Sequence, residues 1–206
     1  LIDSNYQHAL AWYRAFRRYD ITLPVWRLHR AIGMGGDQLV ASVADDHVED
    51  ELGDQLRAAW SEEFDPMLDE VAPFEGAREL LVDLRDRGLT VVLASSGKPE
   101  HVDHYLDLID GKSVAHDWTT SQDVDRTKPA PDLLQVALDR AGGAAPIVIG
   151  DSVWDFAAAR RAGYPGYALR TGGFDERELL EAGARSVYDS LPALRSELDK
   201  LLGSGE

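Results

Sequence analysis

The chain has 206 residues, which is enough for one full hydrophobic core and a smaller second unit. Its formal net charge of −16 at pH 7 would repel nucleic acids and anionic membrane surfaces, so we expect neither as a partner. The sequence contains no Cys, which excludes disulfides and Cys-ligated zinc within it, and no apolar run reaches the roughly 18 residues that span a bilayer.

Apolar residues recur at three- to four-residue spacing through the first third of the chain, which is typical of amphipathic helices. A Gly-rich segment, "GMGG", predicts a hinge or tight turn between two of them. No strand signal precedes Leu89. The predicted helices are 5–19, 25–32, 38–44 and a longer one ending near Phe64.

From Pro73 onwards, strand and helix patterns alternate with short connections, which predicts a parallel sheet covered by helices on both faces. In such sheets ligands bind beyond the carboxyl ends of the strands. The predicted strands are 89–94, 118–120, 146–150, 166–169 and 186–188, and the predicted helices are 75–87, 100–108, 132–141, 153–162, 176–182 and 191–202.

Ser95 ends the first of these strands and begins the turn "SSGK". Its hydroxyl and the free backbone N–H groups of Ser96 and Gly97 could hold phosphate oxygens, as helix N-termini do. The alternative is that one of the two serines only caps the following helix.

Lys128 lies in "TKPAPD", where two prolines restrict the backbone around it. An ammonium held near carboxylates can neutralise the repulsion between a phosphate dianion and an attacking carboxylate. The alternative is a surface Lys in a Pro-rich turn.

Asp151 and Asp155 follow the strand "IVIG", four residues apart, with the second one turn into the next helix. Two carboxylates at a sheet edge suit Mg²⁺, which takes oxygen ligands and keeps several waters. The alternative is that Asp151 or Ser152 caps the helix and that Asp155 is a helix-dipole acid.

The segments "ASSGK", "TKPAPD" and "GDSVWDFAAARRAG", in this order, resemble the second, third and fourth motifs of the haloacid dehalogenase-like hydrolase superfamily. "LIDSNYQHALAWYRAF" is similar to the segment that follows its first motif, Asp-x-Asp-Gly-Thr. The resemblance implies a Rossmann-like core over residues 1–7 and 74–206, with an inserted helical cap over 8–73.

The resemblance also implies a mechanism, in which an Asp of the first motif attacks phosphorus and forms an aspartyl phosphate. Ser95 would bind the phosphoryl oxygens, Lys128 would balance charge, and Asp151 would hold Mg²⁺. Asp155 would act as a ligand through water or as the partner of Lys128. We expect the first strand and its nucleophile to precede Leu1, so that the chain as given is inactive.

The same resemblance leaves the activity open between an Mg²⁺-dependent phosphatase and a sugar-phosphate mutase of the beta-phosphoglucomutase type. The cap residues expected to select a small phosphorylated metabolite are His8, Gly33, Met34, Gly35 and Gly36. A non-catalytic phosphate-binding or regulatory protein is the remaining alternative, should the first motif be lost. We expect a cytoplasmic location.

Overall fold

A computed structural model describes residues 1–143 and 145–203, and it has the α/β architecture that the sequence predicts. The strands are β1 Ile2–Asp3, β2 Ala72–Pro73, β3 Val92–Ala94, β4 Asp117–Thr119, β5 Val148–Gly150, β6 Gly166–Leu169 and β7 Ala184–Tyr188. The helices are α1 Asn5–Arg17, α2 Val25–Ala31, α3 Gly36–Val43, α4 Asp46–Phe64, α5 Ala77–Asp86, α6 Pro99–Leu108, α7 Gly111–Val114, α8 Asp132–Arg140, α9 Val153–Ala162, α10 Glu176–Ala182, α11 Leu191–Ser196 and α12 Leu198–Gly203. None of the described helices is long and apolar enough to cross a bilayer.

Helices α1 to α4 form a unit with its own hydrophobic core. Trp12 and Phe16 of α1 lie one turn apart and pack with Leu28, Leu39 and Leu56 from the other three helices. Burial of each large apolar side chain stabilises the folded state by about 1.5–3 kcal/mol. The apolar spacing read from the sequence therefore forms this core.

The strands β1 and β2 were not predicted. They pair antiparallel, with Ile2 opposite Pro73 and Asp3 opposite Ala72, so the two chain segments that bracket the helical unit lie side by side. The expectation of no strand before Leu89 was wrong, because a two-residue strand is too short to show a period in the sequence.

The larger strands form two parallel groups. Strand β3 pairs with β4, while β5 pairs with β6 and β6 with β7. The predicted strands 89–94 and 146–150 are shortened to β3 and β5, and both are only half-buried, whereas β6 is fully buried. The predicted final helix divides into α11 and α12.

A cavity of about 1270 Å³ borders both β3 and β5. Its walls include the residues 89–94 on one side and 147–150 on the other, and it continues towards the carboxyl ends of the strands. Inner strands of a parallel sheet are normally paired and covered on both faces. The space that borders both β3 and β5 is therefore flanked by strands, as a neighbouring strand of the sheet would be.

The core of the helical unit makes one prediction about stability. Phe16→Ala should lower the free energy of unfolding by about 3–5 kcal/mol, because the fully buried ring leaves a cavity. Trp26→Ala is the matched control, since Trp26 is 68% exposed and its loss should change stability by less than about 0.5 kcal/mol. Urea unfolding followed by circular dichroism measures both, and equal losses would contradict the packing described here.

Candidate active site

Ser95 lies in a tight turn directly after β3. Its Oγ accepts a hydrogen bond from Gly97 N at 3.1 Å, and its backbone is held by Thr119, whose Oγ1 accepts from Ser95 N and donates to Ser95 O, both at 3.1 Å. Helix α6 begins after Lys98 with no side-chain cap, so neither serine caps it. The helix-cap alternative for Ser95 and Ser96 is thus wrong, and the Ser95 turn, with Ser96 and Gly97, lines the cavity.

Lys128 and Asp155 form an ion pair, with Nζ 2.8 Å from Oδ1. Both side chains are largely buried, at 12% and 14% exposure. Burial alone would raise the pKa of the Asp155 carboxyl, but the charge and hydrogen bond of Lys128, together with Ser152, hold it below its ordinary value. Lys128 is therefore not the solvated surface residue of the alternative interpretation.

The second carboxylate oxygen of Asp155 is held by the start of α9. Its Oδ2 accepts hydrogen bonds from Ser152 Oγ at 2.7 Å, Ser152 N at 3.0 Å and Asp151 N at 3.3 Å, and Ser152 Oγ in turn accepts from Asp155 N. This is a capping box in which Ser152 is the N-cap and Asp155 the first-turn acid, as in the structural alternative, and Asp155 pairs with Lys128 as well. A Cβ at Gly150 would lie 2.7 Å from the Asp155 Cβ, so this approach requires Gly.

Asp151 is at the carboxyl end of β5, where its Oδ2 accepts a hydrogen bond from Thr171 Oγ1 at 2.8 Å. Burial raises the pKa of this carboxyl, and the nearby charge of Asp155 adds to the increase. Asp151 is thus a carboxylate in an environment where a bound cation would stabilise its ionised form.

No group of three His, Asp or Glu side chains able to hold a metal occurs in residues 1–143 and 145–203. Because Mg²⁺ is commonly held by one or two carboxylates with waters and substrate phosphates completing the shell, Asp151 fits such an ion. Both oxygens of Asp155 are engaged by Lys128, Ser152 and the Asp151 amide. This geometry favours the Lys128-partner role of Asp155 among the two that the resemblance implies.

The Gly-rich segment of the helical unit lies against the loops that carry these residues. A Cβ at Gly33 would lie 2.5 Å from Ser152 Oγ, and Gly35 N donates to Thr127 Oγ1 at 2.9 Å. Gly33, Met34, Gly35 and Gly36 all line the cavity. The four residues therefore form part of its wall, and Gly33 and Gly35 allow the close approach.

His8 lies on α1 within an aromatic cluster that also borders the cavity. Its ring stacks on Phe64 and Trp60, with centroids 4.0 and 5.5 Å away, and its Nε2 lies within hydrogen-bond distance of the Tyr105 hydroxyl, at 3.4 Å. Burial raises the pKa of Tyr105 and lowers that of His8 to about 3, with the charge of His101 adding to the decrease. His8 is therefore a neutral hydrogen-bonding group at physiological pH.

Two basic residues of the helical unit, His29 and Arg30, are not among those that line the cavity. His29 Nε2 lies 3.1 Å from Gly172 O, and Arg30 pairs with Glu178, so both contact the loop and helix after β6. Arg57 and Lys98 line the cavity instead. Arg57 is paired with Glu49 and Asp54, whereas Lys98 Nζ donates to Ser61 Oγ at 2.6 Å.

Several residues that shape this site have no signal in the sequence. Thr119 holds Ser95, Thr171 holds Asp151, and Asp37 accepts hydrogen bonds from Thr127, 90 residues away. Only Thr127 could have been noticed, because it directly precedes Lys128. Single polar residues on separate elements carry no period or spacing that would join them.

The chain is similar to known proteins of one hydrolase family. Residues 1–163 match the family described as haloacid dehalogenase-like hydrolase. A hydrolase from Pseudomonas syringae has a similar structure, with a TM-score of 0.90 and 33% identity over 98% of this chain and 94% of that one.

Two further solved structures have the same fold. A candidate beta-phosphoglucomutase from Bacteroides vulgatus has a TM-score of 0.84 and 24% identity, over 98% of this chain and 85% of that one. A predicted phosphatase from Clostridium acetobutylicum has a TM-score of 0.85 and 19% identity, over 97% and 94%. The search of curated proteins found no match.

The environment of His8 makes a prediction about pH. Because its pKa is about 3 in the folded chain and near 6.5 when unfolded, the unfolded state binds the extra proton between these values. The contribution of neutral His8 to the free energy of unfolding is therefore fully present above pH 6.5 and is lost as the pH falls below it. Relative to His8→Phe, the wild type should lose about 1.4 kcal/mol per pH unit between about pH 6 and pH 4.

Urea unfolding at several pH values measures this difference. His47→Phe is the control for the chemical change itself, since the His47 side chain is 76% exposed. If the wild type and His8→Phe show the same slope, then His8 is protonated freely and is not enclosed by Phe64 and Trp60.

Proposed function

The chain belongs to the haloacid dehalogenase-like hydrolases, and on this basis we propose that it is an Mg²⁺-dependent phosphomonoesterase acting on a small phosphorylated metabolite. The Lys128–Asp155 ion pair carries the proposal. It holds an ammonium in the wall of the cavity that the Ser95 turn and Asp151 also line. A hydroxyl, an ammonium and a carboxylate with a metal ion together match the charge of a phosphate dianion.

Each of these residues has a defined task in the proposed reaction. The Ser95 hydroxyl and the N–H of Ser96 bind non-bridging phosphoryl oxygens, while Gly97 N holds the Ser95 hydroxyl in place. Lys128 reduces the repulsion between the phosphate and an attacking carboxylate, and Asp155 keeps Lys128 in position. Asp151 is the protein ligand for Mg²⁺, which when bound neutralises phosphoryl charge.

We assign the nucleophile to a segment preceding Leu1. The cavity has largely apolar walls where it borders β3 and β5, and a parallel strand there would end at the same edge as Ser95 and Asp151. Leu1 and Ile2 line this cavity, so such a strand would lead directly into β1. This space between β3 and β5 supports the expectation, made from the sequence, that a strand carrying an Asp precedes Leu1.

The reaction then proceeds in two displacements. A carboxylate oxygen of that Asp forms a bond to phosphorus while the ester oxygen leaves with its electron pair. The leaving oxygen takes a proton from the second Asp of the Asp-x-Asp-Gly-Thr motif. Water then attacks the phosphorus of the aspartyl phosphate and gives a proton to the second Asp. Inorganic phosphate is released and the nucleophilic Asp is restored.

A sugar-phosphate mutase is the second candidate, and Lys98 is the observation that favours it. Lys98 lines the cavity, and within the described ranges no carboxylate lies within ion-pair distance of it. A second phosphate of a bisphosphate intermediate could occupy that position. Inorganic phosphate released at the rate of substrate loss would exclude the mutase.

The first prediction here concerns the catalytic residues. In the protein expressed from its full reading frame, Lys128→Gln and Asp151→Asn should each lower kcat for an aryl phosphate by about 10²–10³-fold. Lys112→Gln is the control, because Lys112 pairs with Asp103 and Asp107 outside the cavity. Thermal unfolding shows whether each variant is folded, and near-wild-type rates in folded variants would refute the assignment.

Turnover should depend on Mg²⁺ and on the segment expected before Leu1. Chelation should abolish turnover and added Mg²⁺ should restore it, while a protein that begins at Leu1 should show no turnover with or without Mg²⁺. Steady-state release of inorganic phosphate measures both. Activity that persists in excess chelator would count against the role of Asp151, and complete inactivity of the full-length protein would favour the non-catalytic alternative.

A further inference from the structure

Asp37 makes the contact between the helical unit and the residue that precedes Lys128. Its Oδ2 accepts a hydrogen bond from Thr127 N at 3.1 Å, and its Oδ1 accepts one from the Thr127 hydroxyl. The same hydroxyl accepts from Gly35 N at 2.9 Å. Thr127 is only 5% exposed, so these bonds are enclosed at the interface.

Both donors of Thr127 are thus satisfied by the helical unit. Its N–H and its hydroxyl hydrogen bond to Asp37, while only its carbonyl bonds within the core, to Ala130 N at 3.0 Å. If the helical unit moved away, the N–H and hydroxyl would lose their partner. The backbone directly before Lys128 would then be held less firmly.

Asp37 also lies in the first turn of α3, where a negative charge suits the helix dipole. Among the ion pairs of residues 1–143 and 145–203, none involves Asp37. Its remaining hydrogen bond is from the neighbouring Gln38 Nε2, at 2.9 Å. Because each carboxylate oxygen accepts from a different donor of Thr127, an amide in the same place could serve only one of them.

A continuous series of contacts joins Asp37 to the proposed phosphate site. Asp37 holds Thr127, Pro129 restricts the backbone on the other side of Lys128, and Lys128 Nζ pairs with Asp155 at 2.8 Å. A rotation at residue 127 would therefore displace the ammonium from Asp155.

We infer that Asp37 is a positioning residue for the proposed reaction: it fixes Thr127, and through it Lys128, only while the helical unit is closed over the cavity. The inference rests on the proposed function. It makes closure over a substrate and correct placement of Lys128 a single event, so that the ammonium is in position when water has been excluded.

A second interface contact provides the matched control. Arg30 pairs with Glu178 at the other side of the helical unit, and Glu178→Gln removes this ion pair while leaving an oxygen that can still accept from Asp175 N. This variant removes a half-exposed contact of the same interface and leaves Thr127 untouched. It separates the loss of any interface contact from the loss of the contact to Thr127.

The experiment compares kcat and KM for an aryl phosphate in the full-length protein and in Asp37→Ala, Thr127→Val, the double variant and Thr127→Ser. Asp37→Ala removes both charge-assisted hydrogen bonds and should lower kcat by at least about tenfold, while Thr127→Val removes one of them and should have a smaller effect. The double variant should be no slower than Asp37→Ala, and KM should change less than kcat. Thr127→Ser, which keeps the hydroxyl, should retain near-wild-type kcat, as should Glu178→Gln.

Three outcomes would overturn the inference. One is an unchanged kcat in Asp37→Ala, another is multiplication of the two single effects in the double variant, and the third is an equal loss in Glu178→Gln. The double variant is decisive, because Asp37→Ala already removes both bonds from Thr127 and leaves Thr127→Val no bond to residue 37 to remove.

Hydrogen exchange of the Thr127 amide tests the same contact without any turnover. In Asp37→Ala the amide should exchange at least about tenfold faster than in the wild type, and in Glu178→Gln it should not. If the wild type hydrolyses no phosphate ester, the proposed function fails while exchange still reports the contact. Faster exchange with an unchanged kcat would show that the contact has no role in catalysis.

Discussion

The ion pair between Lys128 and Asp155 is the interaction on which the site depends. It joins a Pro-restricted loop to the start of α9, two segments that are 27 residues apart, and both partners are largely shielded from water. Removal of one partner from such a pair typically costs about 3–5 kcal/mol, because the other charge is left buried. The capping box at Ser152 and the close approach at Gly150 fix the carboxylate, so the ammonium has one place to lie.

This arrangement explains why two interpretations of Asp155 are compatible. Within the capping box it accepts from the N–H and hydroxyl of Ser152 and stabilises the first turn of α9, as a purely structural residue would. With its other oxygen it pairs with Lys128. A buried carboxylate with hydrogen bonds at both oxygens remains ionised, and it can therefore hold a cation next to a phosphate without moving.

The space between β3 and β5 imposes the second constraint. A parallel sheet is stable because its inner strands are paired on both sides, yet these two strands each pair on one side and border a common cavity. The helical unit lines the same cavity, and Gly33 and Gly35 bring it against Ser152 and Thr127. The site is thus enclosed by the sheet, by the loops at its edge and by the helical unit together.

The sequence by itself determined the order of elements and three of the loops that form the site. Helices α1 to α4 follow from apolar spacing, β6 and α9 begin and end where predicted, and Ser95, Lys128 and Asp151 lie around one cavity as expected from their positions after strands. These features are encoded locally, since a period of 3.6 or 2 residues and the turn residues beside it act within a few positions of the chain.

Only the tertiary structure decided what depends on contacts between distant segments. The pairing of β1 with β2 and the lengths of β3 and β5 belong to this group. So do the ion pair of Arg30 with Glu178 and the hydrogen bonds of Thr127 to Asp37. Each of these depends on the distance between residues on different elements, which is set when their hydrophobic faces pack. No periodicity along the chain specifies which carboxylate will meet which hydroxyl, and for that reason the partners that hold Lys128 and Asp151 in place could not be read from the sequence.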